Sequence, residues 1–100
     1  MFVHHVFFWM KNPDSSLERE QLEEGLLSLE KIDLIRSFHV GVLAETNRKT
    51  IDRSYAFSLL MLFDNPEDEE AYQSHPIHKK FVADCSPLWS KVLVYDSVDE

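Results

Sequence analysis

Hydrophobic and polar residues follow a strand pattern in four stretches of the chain. Residues 2–10 and 55–63 are apolar on both alternating sets, which predicts strands that are covered on both faces. Residues 34–43 and 91–98 carry alternating runs that predict two further strands. The polar stretch 45–54 has neither a strand period nor a helix period, so we expect it to form an exposed loop.

The two-residue period assigns several side chains to the faces of these strands. Tyr55 and Phe57 are two residues apart, so we expect them to point to the same face of the sheet. His39 falls on the polar set of its strand, which predicts a position on the solvent side or near an edge. The adjacent His4 and His5 must point to opposite faces, so they cannot hold one metal ion together. Binding of zinc or iron by His75, His78 and His5 would need an unusually close convergence of these residues, so we predict no metal site.

Helical patterns follow the first and third strands. Ser15 and Glu18 have the spacing of a capping box and predict a helix that runs to about Lys31. Gly25 interrupts this helix at a cost of about 1 kcal/mol relative to alanine, so we expect it to make room for a close neighbour or a ligand. A second helical region follows the third strand, and the predicted order of elements is β-α-β-β-α-β.

Residues 71–81 gather a tyrosine and two histidines around a proline and form the candidate functional site. Pro76 forces His75 toward extended backbone and suits the first position of a helix. One helix should therefore end near Ser74 and another should begin at Pro76. The inward stripe of that second helix consists of His78, Phe81, Val82 and Cys85.

His78 has the position that a general base needs. It lies in the first turn of its helix and points inward, where the helix dipole and partial desolvation both favour the neutral imidazole. A neutral ring accepts a proton, so His78 is a candidate general base. The alternative interpretation is structural: Tyr72, His75 and His78 would only satisfy one another's hydrogen bonds at a helix corner.

Composition excludes several classes of function. The 100 residues, 44% of them hydrophobic, are enough for one domain over residues 1–100. A net charge of −8 argues against nucleic acid and anionic membranes as partners, since both select basic surfaces. No apolar run approaches the roughly 20 residues of a membrane span. Cys85 is the only cysteine, so we expect a buried thiol and a cytoplasmic protein.

The face of the sheet that the helices leave free also predicts a partner. A four-stranded antiparallel sheet of this order carries its helices on one face. The other face is apolar as well, and burying one Phe, Leu or Val contributes roughly 1.5–3 kcal/mol. A second copy of the chain is the nearest source of cover, so we predict a homodimer whose two sheets pack into a barrel-like core.

Several motifs of this chain occur together in one protein family. They are a histidine in the apolar first strand, Phe38-His-Val-Gly41, Tyr55 opening the third strand, Ala71-Tyr-x-x-His-Pro-x-His78 with Phe81, and Trp89 through Val94-Tyr-Asp96. In these motifs the chain resembles the stress-responsive A/B barrel (Dabb) family of dimeric α+β barrel proteins. The resemblance covers nearly the whole length and implies an α+β, ferredoxin-like protomer with a pocket between its sheet and its helices.

The resemblance also implies roles for individual residues. A cofactor-free polyketide cyclase of this family has catalytic residues that match Tyr72 and His78 and pocket residues that match His5 and Trp89. The chain departs from that enzyme at Phe57, Gly25 and Leu26, so its substrate is not carried over. We predict that His78 is a catalytic base and that the catalytic Tyr72 donates its hydroxyl hydrogen to a developing enolate. The predicted pocket takes a small, mostly apolar carbonyl or aromatic compound. The predicted ligand-binding residues are His5, Phe7, Trp9, His75, Phe81 and Trp89.

Three hypotheses follow for the function. The first is binding or cofactor-free acid/base chemistry in that pocket, and the second is a stress-responsive structural dimer without turnover. The third is a haem or cofactor-free monooxygenase, as in neighbouring branches of the α+β barrels. His75 or His78 could serve as an axial ligand, but the acidic chain offers no basic clamp for the haem propionates. We expect no cofactor.

Overall fold

Four strands and three α-helices follow one another in the computed structural model, which describes residues 1–100. They are β1 (Phe2–Met10), α1 (Ser16–Ser28), β2 (Ser37–Gly41), β3 (Phe57–Phe63), α2 (Pro66–Ser74), α3 (Pro76–Cys85) and β4 (Trp89–Val98). One turn of 3-10 helix follows α1 and another follows α3. The predicted βαββαβ order is confirmed, with the second helical region divided in two.

The strands form one antiparallel sheet in the order β2-β3-β1-β4. The central strand β1 pairs with β3 on one side and with β4 on the other. This is the ferredoxin-like α+β architecture that the sequence predicts. No helix is both long enough and apolar enough to cross a membrane.

One face of the sheet, the helix face, packs against α1, α2 and α3 and holds the core. Alternate residues of β1 from His4 to Met10, and of β3 from Phe57 to Phe63, point to this face and are at most 6% exposed. The helical layer contributes Leu22, Leu26, Leu29, Tyr72, Phe81 and Cys85. Because these side chains leave water together, the helix face supplies most of the hydrophobic stabilisation within the chain.

Gly25 brings α1 and α3 into close contact. A Cβ atom added at Gly25 would overlap the Cys85 sulfur and lie 3.3 Å from the Phe81 ring. This confirms that the glycine makes room for a close neighbour, which is α3. Cys85 is 5% exposed, so the prediction of a buried thiol is confirmed too.

The opposite face of the sheet, the open face, carries no helix. The register places on it Val3, His5, Phe7 and Trp9 of β1, Ser58, Leu60 and Leu62 of β3, and Leu93 and Tyr95 of β4. None of these residues is fully buried within the chain. His39 also lies on this face, exposed and on the edge strand β2, as predicted.

Tyr55 lies on the open face, where its ring centroid is 4.9 Å from that of Phe7 and 6.5 Å from that of Trp9. Phe57, in contrast, is 1% exposed in the core of the helix face. The prediction that these two residues share a face is wrong, because β3 begins only at Phe57. The irregular backbone before the strand does not keep its two-residue period.

Candidate functional site

The break between α2 and α3 is built by two residues. His75 adopts extended backbone (φ −65°, ψ 138°), and Pro76 is the first residue of α3. The His75 Nδ1 atom accepts a hydrogen bond from the Ile77 N–H at 3.1 Å. The predicted break is therefore confirmed. His75 is not among the residues that line the cavity beside this corner, and its ring is used instead to cap α3.

The His78 ring has a defined tautomer. Its Nδ1 atom lies 3.2 Å from the carbonyl oxygen of Gln73. Because a carbonyl oxygen can only accept, Nδ1 carries the proton, and Nε2 of the neutral ring has a free lone pair. Desolvation by burial lowers the pKa of His78, whereas the hydrogen bond to Gln73 acts in the opposite direction. The net effect favours the neutral imidazole that a general base requires.

Tyr72 lies directly against this ring. It is 1% exposed, and its ring centroid is 4.6 Å from that of His78. The Tyr72 hydroxyl makes no hydrogen bond within the chain. Every fully buried side-chain nitrogen or oxygen atom of the chain does have a partner, so the Tyr72 hydroxyl oxygen is not fully buried. The hydroxyl therefore borders open space. Burial strongly raises the pKa of Tyr72, and the Glu69 carboxylate adds to this, so the hydroxyl stays protonated and can donate a hydrogen bond.

The open space is a cavity of about 170 Å³ between the sheet and the helix corner. Tyr72, His78, Phe81 and Trp89 are among its lining residues, and nine of its twelve lining residues are hydrophobic. Its volume is close to that of the roughly 150 Å³ cavities that hold a benzene-sized ligand. A compound with one ring fits this cavity, whereas a haem is much too large for it.

A second histidine, His4, lines the cavity from the sheet side. Its Nδ1 atom lies 2.6 Å from Asp96 Oδ1, and the Glu69 carboxylate lies 3.7 Å away. The carboxylate can only accept, so Nδ1 carries a proton that is held by Asp96. The remaining nitrogen, Nε2, has no partner in the chain and is not fully buried, so it faces the cavity. His4 thus adds an oriented imidazole opposite Tyr72, with ring centroids 6.0 Å apart.

Three predicted wall residues, His5, Phe7 and Trp9, lie on the other side of the sheet. They point to the open face, so the expectation that they line one pocket with Tyr72 and His78 is wrong. The reason is the strand period, which separates His5 from His4. Phe7 and Trp9 instead border a shallow cavity of about 230 Å³ on the open face, together with Asp52 and Tyr55. Whether they bind a ligand stays a prediction.

Sequence reasoning missed His4 and Asp96 as site residues. The signal was present in the strand period, because His4 alternates with Val6, Phe8 and Met10, all of which are in the core. Both sets of β1 are apolar, however, so the pattern did not indicate which set faces the helices. Asp96 is paired with His4 across β1 and β4, and this pairing depends on a register that the sequence does not show.

The site offers no ready metal centre. No group of three or more His, Cys, Asp or Glu side chains in the chain is arranged to hold a metal ion. His4 and His78 both use Nδ1 for a hydrogen bond. The arrangement provides two oriented imidazoles and one protonated phenol around a mostly apolar space, which suits proton transfer to and from a small organic molecule.

Solved structures with the same fold come from several organisms. A Dabb family protein from Mesorhizobium loti is 28% identical, with a TM-score of 0.80 over 99% of this chain and 96% of that chain. A dimeric ferredoxin-like protein of unknown function from Thermobifida fusca is 20% identical, with a TM-score of 0.77 over 96% and 88%. The hydroxynitrile lyase from Passiflora edulis is 18% identical, with a TM-score of 0.79 over 99% and 93%.

Sequence comparison gives the family directly. The curated proteins contain no match to this chain. The family model of the stress responsive A/B barrel domain, in contrast, matches residues 2–99, which is almost the whole chain. The similar structures described as Dabb or as dimeric ferredoxin-like proteins agree with this match. The chain therefore belongs to the stress responsive A/B barrel (Dabb) domain family.

Proposed function

We propose that this protein is a cofactor-free acid/base catalyst for a small, mostly apolar carbonyl compound bound between the sheet and the helix corner. The observation that carries the proposal is the placement of His78 and Tyr72. A neutral imidazole with a free Nε2 and a protonated hydroxyl border the same cavity of about 170 Å³. A purely structural corner would satisfy the Tyr72 hydroxyl and both ring nitrogens of His78 within the chain, and it would leave no space beside them.

The chemistry that this pair supports is proton abstraction next to a carbonyl group. Nε2 of His78 takes the proton from the carbon α to the carbonyl, and the C–H electron pair moves to form an enolate. The negative charge develops on the carbonyl oxygen, where the Tyr72 hydroxyl donates a hydrogen bond. The enolate can then take a proton back or attack a second carbonyl carbon, so isomerisation and aldol-type reactions are both within reach of the site.

His4 and Asp96 complete this proposal. Asp96 holds the Nδ1 proton of His4, so the ring keeps its orientation and its tautomer. The Nε2 atom of His4 then faces the same cavity that His78 lines. In the neutral Nδ1–H form this atom accepts a proton or a hydrogen bond, so we assign it the orientation or the deprotonation of a hydroxyl group of the bound compound.

The comparisons support parts of this proposal. The Passiflora edulis hydroxynitrile lyase has the same fold, so the architecture accommodates lyase chemistry on small molecules. At 18% identity this similarity concerns the fold alone. Dimeric relatives support a homodimer for this chain, and a lone buried thiol suits the reducing cytoplasm.

Hydrogen–deuterium exchange tests the proposal without knowledge of the natural substrate. Phenylacetone has one ring and an acidic C–H beside its carbonyl group, so it is a suitable probe. Incubation in D₂O should replace its α-protons faster with wild-type protein than in buffer, as followed by proton NMR. His78→Asn should lower the protein-catalysed rate by about 100-fold or more. Tyr72→Phe keeps the ring and removes only the hydroxyl, and it should also lower the rate by about 100-fold.

The matched control is His75→Asn. It removes the other histidine of the same motif but keeps a side chain that caps α3 well, so the exchange rate should stay at the wild-type value. If wild-type protein gives no exchange above buffer, and if neither phenylacetone nor other one-ring carbonyl compounds raise its melting temperature, the corner is structural. Equal exchange rates for wild type and His78→Asn would also overturn the assigned role of His78.

A further inference from the structure

A second cavity, of about 280 Å³, lies at one end of the sheet. Its wall is built by the last residues of β1, the first turn of α1, the loop before β3 and the start of β4. It shares no lining residue with the cavity beside Tyr72 and His78. The two cavities are therefore separate sites.

The wall of this second cavity carries positive charge without compensation. Arg19 and Arg53 line it, and no carboxylate does. In every other cavity of the chain, the wall either lacks lysine and arginine or includes an acid as well. Neither arginine forms an ion pair, although the chain has 18 acidic side chains and only 10 lysines and arginines. An anion bound here would neutralise this local charge.

The Arg19 side chain is held in place by its own chain. Its Nη2 atom donates a hydrogen bond to the carbonyl oxygen of Ala56 at 3.2 Å, and its guanidinium carbon lies 4.6 Å from the centre of the Phe57 ring. The residue is half-buried. A guanidinium group has five N–H donors, and the bond to Ala56 uses only one. The remaining donors form a fixed planar fork that matches two oxygens of a carboxylate or a phosphate.

Arg53 brings a second guanidinium group to the cavity from the loop before β3. Its Nη1 atom donates to the carbonyl oxygens of Ala44 and Thr46, so the loop is tied to this group. The Nε and Nη2 atoms of Arg53 make no hydrogen bond within the chain. Because Arg53 is exposed, these donors are accessible to an anion that enters from solvent.

Aromatic rings form another part of the wall. Trp9 and Tyr55 both border the cavity, with ring centroids 6.5 Å apart and ring planes at 80°. The Lys91 ammonium lies 4.5 Å from the centre of the Trp9 ring and adds positive charge beside the cavity. The volume exceeds the roughly 150 Å³ that hold a benzene-sized ligand. A compound with one ring and one charged group therefore fits.

The acid of this loop, Asp52, is engaged elsewhere. Its Oδ1 atom accepts a hydrogen bond from the Ser54 N–H at 2.8 Å and another from the Ser54 hydroxyl at 2.5 Å. Asp52 borders the neighbouring cavity beside Phe7 and is not part of the wall that contains the arginines. It therefore does not fill the position of an anion at Arg19 and Arg53.

We propose that the arginine-lined cavity is a second binding site, which takes a small organic anion with one carboxylate or phosphate group and one aromatic ring. The two guanidinium groups bind the anionic group, and the ring packs against Trp9 and Tyr55. The net charge of −8 repels large anions, so the site favours a small ligand whose charge is neutralised locally. This proposal does not rest on the catalytic roles of His78 and Tyr72.

The two tryptophans of the chain allow a test by NMR with an internal control. Trp9 lines the proposed site, and its indole N–H donates to the Ser54 hydroxyl in the same wall. Trp89 lines the cavity of Tyr72 and His78. Benzoate at millimolar concentration should shift the indole N–H signal of Trp9 in a saturable way and leave that of Trp89 in place. Benzyl alcohol has the same ring without the charge, and it should shift neither signal at these concentrations.

Substitutions of the arginines test which groups bind the anion. Arg19→Gln and Arg53→Gln should each weaken benzoate binding by at least about tenfold, because each removes charge-assisted hydrogen bonds. Arg19→Lys keeps the charge but lacks the planar fork, and it should also weaken binding. The matched control is Arg36→Gln, because Arg36 is already paired with Asp64 at 2.9 Å. This variant should bind benzoate as wild type does, and amide NMR spectra show whether each variant is folded.

Phenyl phosphate and inorganic phosphate distinguish the anionic groups and the role of the ring. Tighter binding of phenyl phosphate than of benzoate would assign the site to phosphate esters, and the reverse would assign it to carboxylates. Inorganic phosphate should bind at least about tenfold more weakly than phenyl phosphate, because it has no ring to bury. Equal binding of these two would contradict the proposed contact with Trp9 and Tyr55.

Two further results would overturn the proposal. The first is a Trp9 signal that neither benzoate nor phenyl phosphate shifts in wild-type protein, or a shift of Trp89 alone. The second is equal affinity of wild type and folded arginine variants, which would mean that Arg19 and Arg53 only tie α1 and the loop to the sheet. Should Arg53→Gln loosen the loop, the wild-type titration and Arg19→Lys still decide the question.

Discussion

The two faces of the sheet present adjacent histidines in opposite settings. His4 on the helix face has a carboxylate 2.6 Å away and is 5% exposed. His5 on the open face has a neutral hydroxyl 2.8 Å away and lacks cover from its own chain. One residue type in one strand therefore serves two purposes. The charged partner orients His4 toward a cavity, whereas desolvation by burial lowers the pKa of His5, and the neighbouring imidazoles act in the same direction.

This contrast also distinguishes a face closed by helices from a face without cover. The helix face is closed by α1, α2 and α3, so a cavity within it has defined walls that include Phe81 and Trp89. The open face is flat and aromatic, and its residues gain little until a partner covers them. We therefore expect a substitution on the open face to leave the cavity of the helix face intact, and a substitution in the cavity to leave the open face intact. The predictions below test this independence.

The largest expected difference in the free energy of unfolding is between substitutions at two residues of β3 that point to opposite faces. Phe63 is 0% exposed in the core, so Phe63→Ala should lower the free energy of unfolding of a single chain by about 3–5 kcal/mol. Leu60→Ala, on the open face, should cost clearly less in a single chain and should mainly raise the dissociation constant of the dimer. Urea unfolding at low and high protein concentration separates the two effects. Equal losses at low concentration would contradict the distinction between the faces.

The next prediction concerns the close contact between α1 and α3 in the helical layer, where Gly25 meets Cys85. Gly25→Ala should destabilise the protein by overpacking against Cys85, a kind of change that typically costs about 1–3 kcal/mol. In a Cys85→Ala background the sulfur is gone, and the same change should be neutral or stabilising because alanine favours a helix by about 1 kcal/mol. Thermal unfolding of the four proteins measures this coupling. Additive effects would show that the contact between α1 and α3 is looser than the geometry indicates.

The sequence predicted the elements of this fold well because they depend on local signals. The cap at Ser15, which accepts the Glu18 N–H, and the break at Pro76 follow from backbone chemistry that a few neighbouring residues determine. The end of α1 was less accurate, since the helix stops at Ser28 and continues to Lys31 as a 3-10 turn. The first residues of β2 and β4 also differ from the prediction by two or three positions.

The candidate site was predicted less completely because it depends on pairing across the sheet. The inward position of His78 followed from the helix period and from the proline break, and the role of Tyr72 followed from the family resemblance. Both alternating sets of β1 are apolar. The strand period therefore shows that His4 and His5 point to opposite faces, but it does not show which of these faces meets the helices. For this reason His5 was assigned to the cavity instead of His4. Asp96 reaches His4 through the register of β1 and β4, which joins residues at opposite ends of the chain. Local patterns carry no information about this contact.

The ionisation and tautomer of His78 are the most direct test of the central claim, which is that this ring is a neutral base facing a ligand cavity. Nitrogen-15 NMR of the five histidine rings over a pH titration measures both properties for each ring. We expect His78 to be the Nδ1–H tautomer at neutral pH and to titrate below the ordinary value of 6.5, because burial lowers its pKa. Its contribution to stability should be complete above pH 6.5 and should be lost progressively as the pH falls from 6.5 to that lowered pKa. Addition of phenylacetone should shift the Nε2 signal of His78 and leave that of His39 unchanged. Three results would contradict the account. They are a His78 ring that titrates above 6.5, a ring that carries its proton on Nε2, and an Nε2 signal that does not shift at a saturating concentration of phenylacetone.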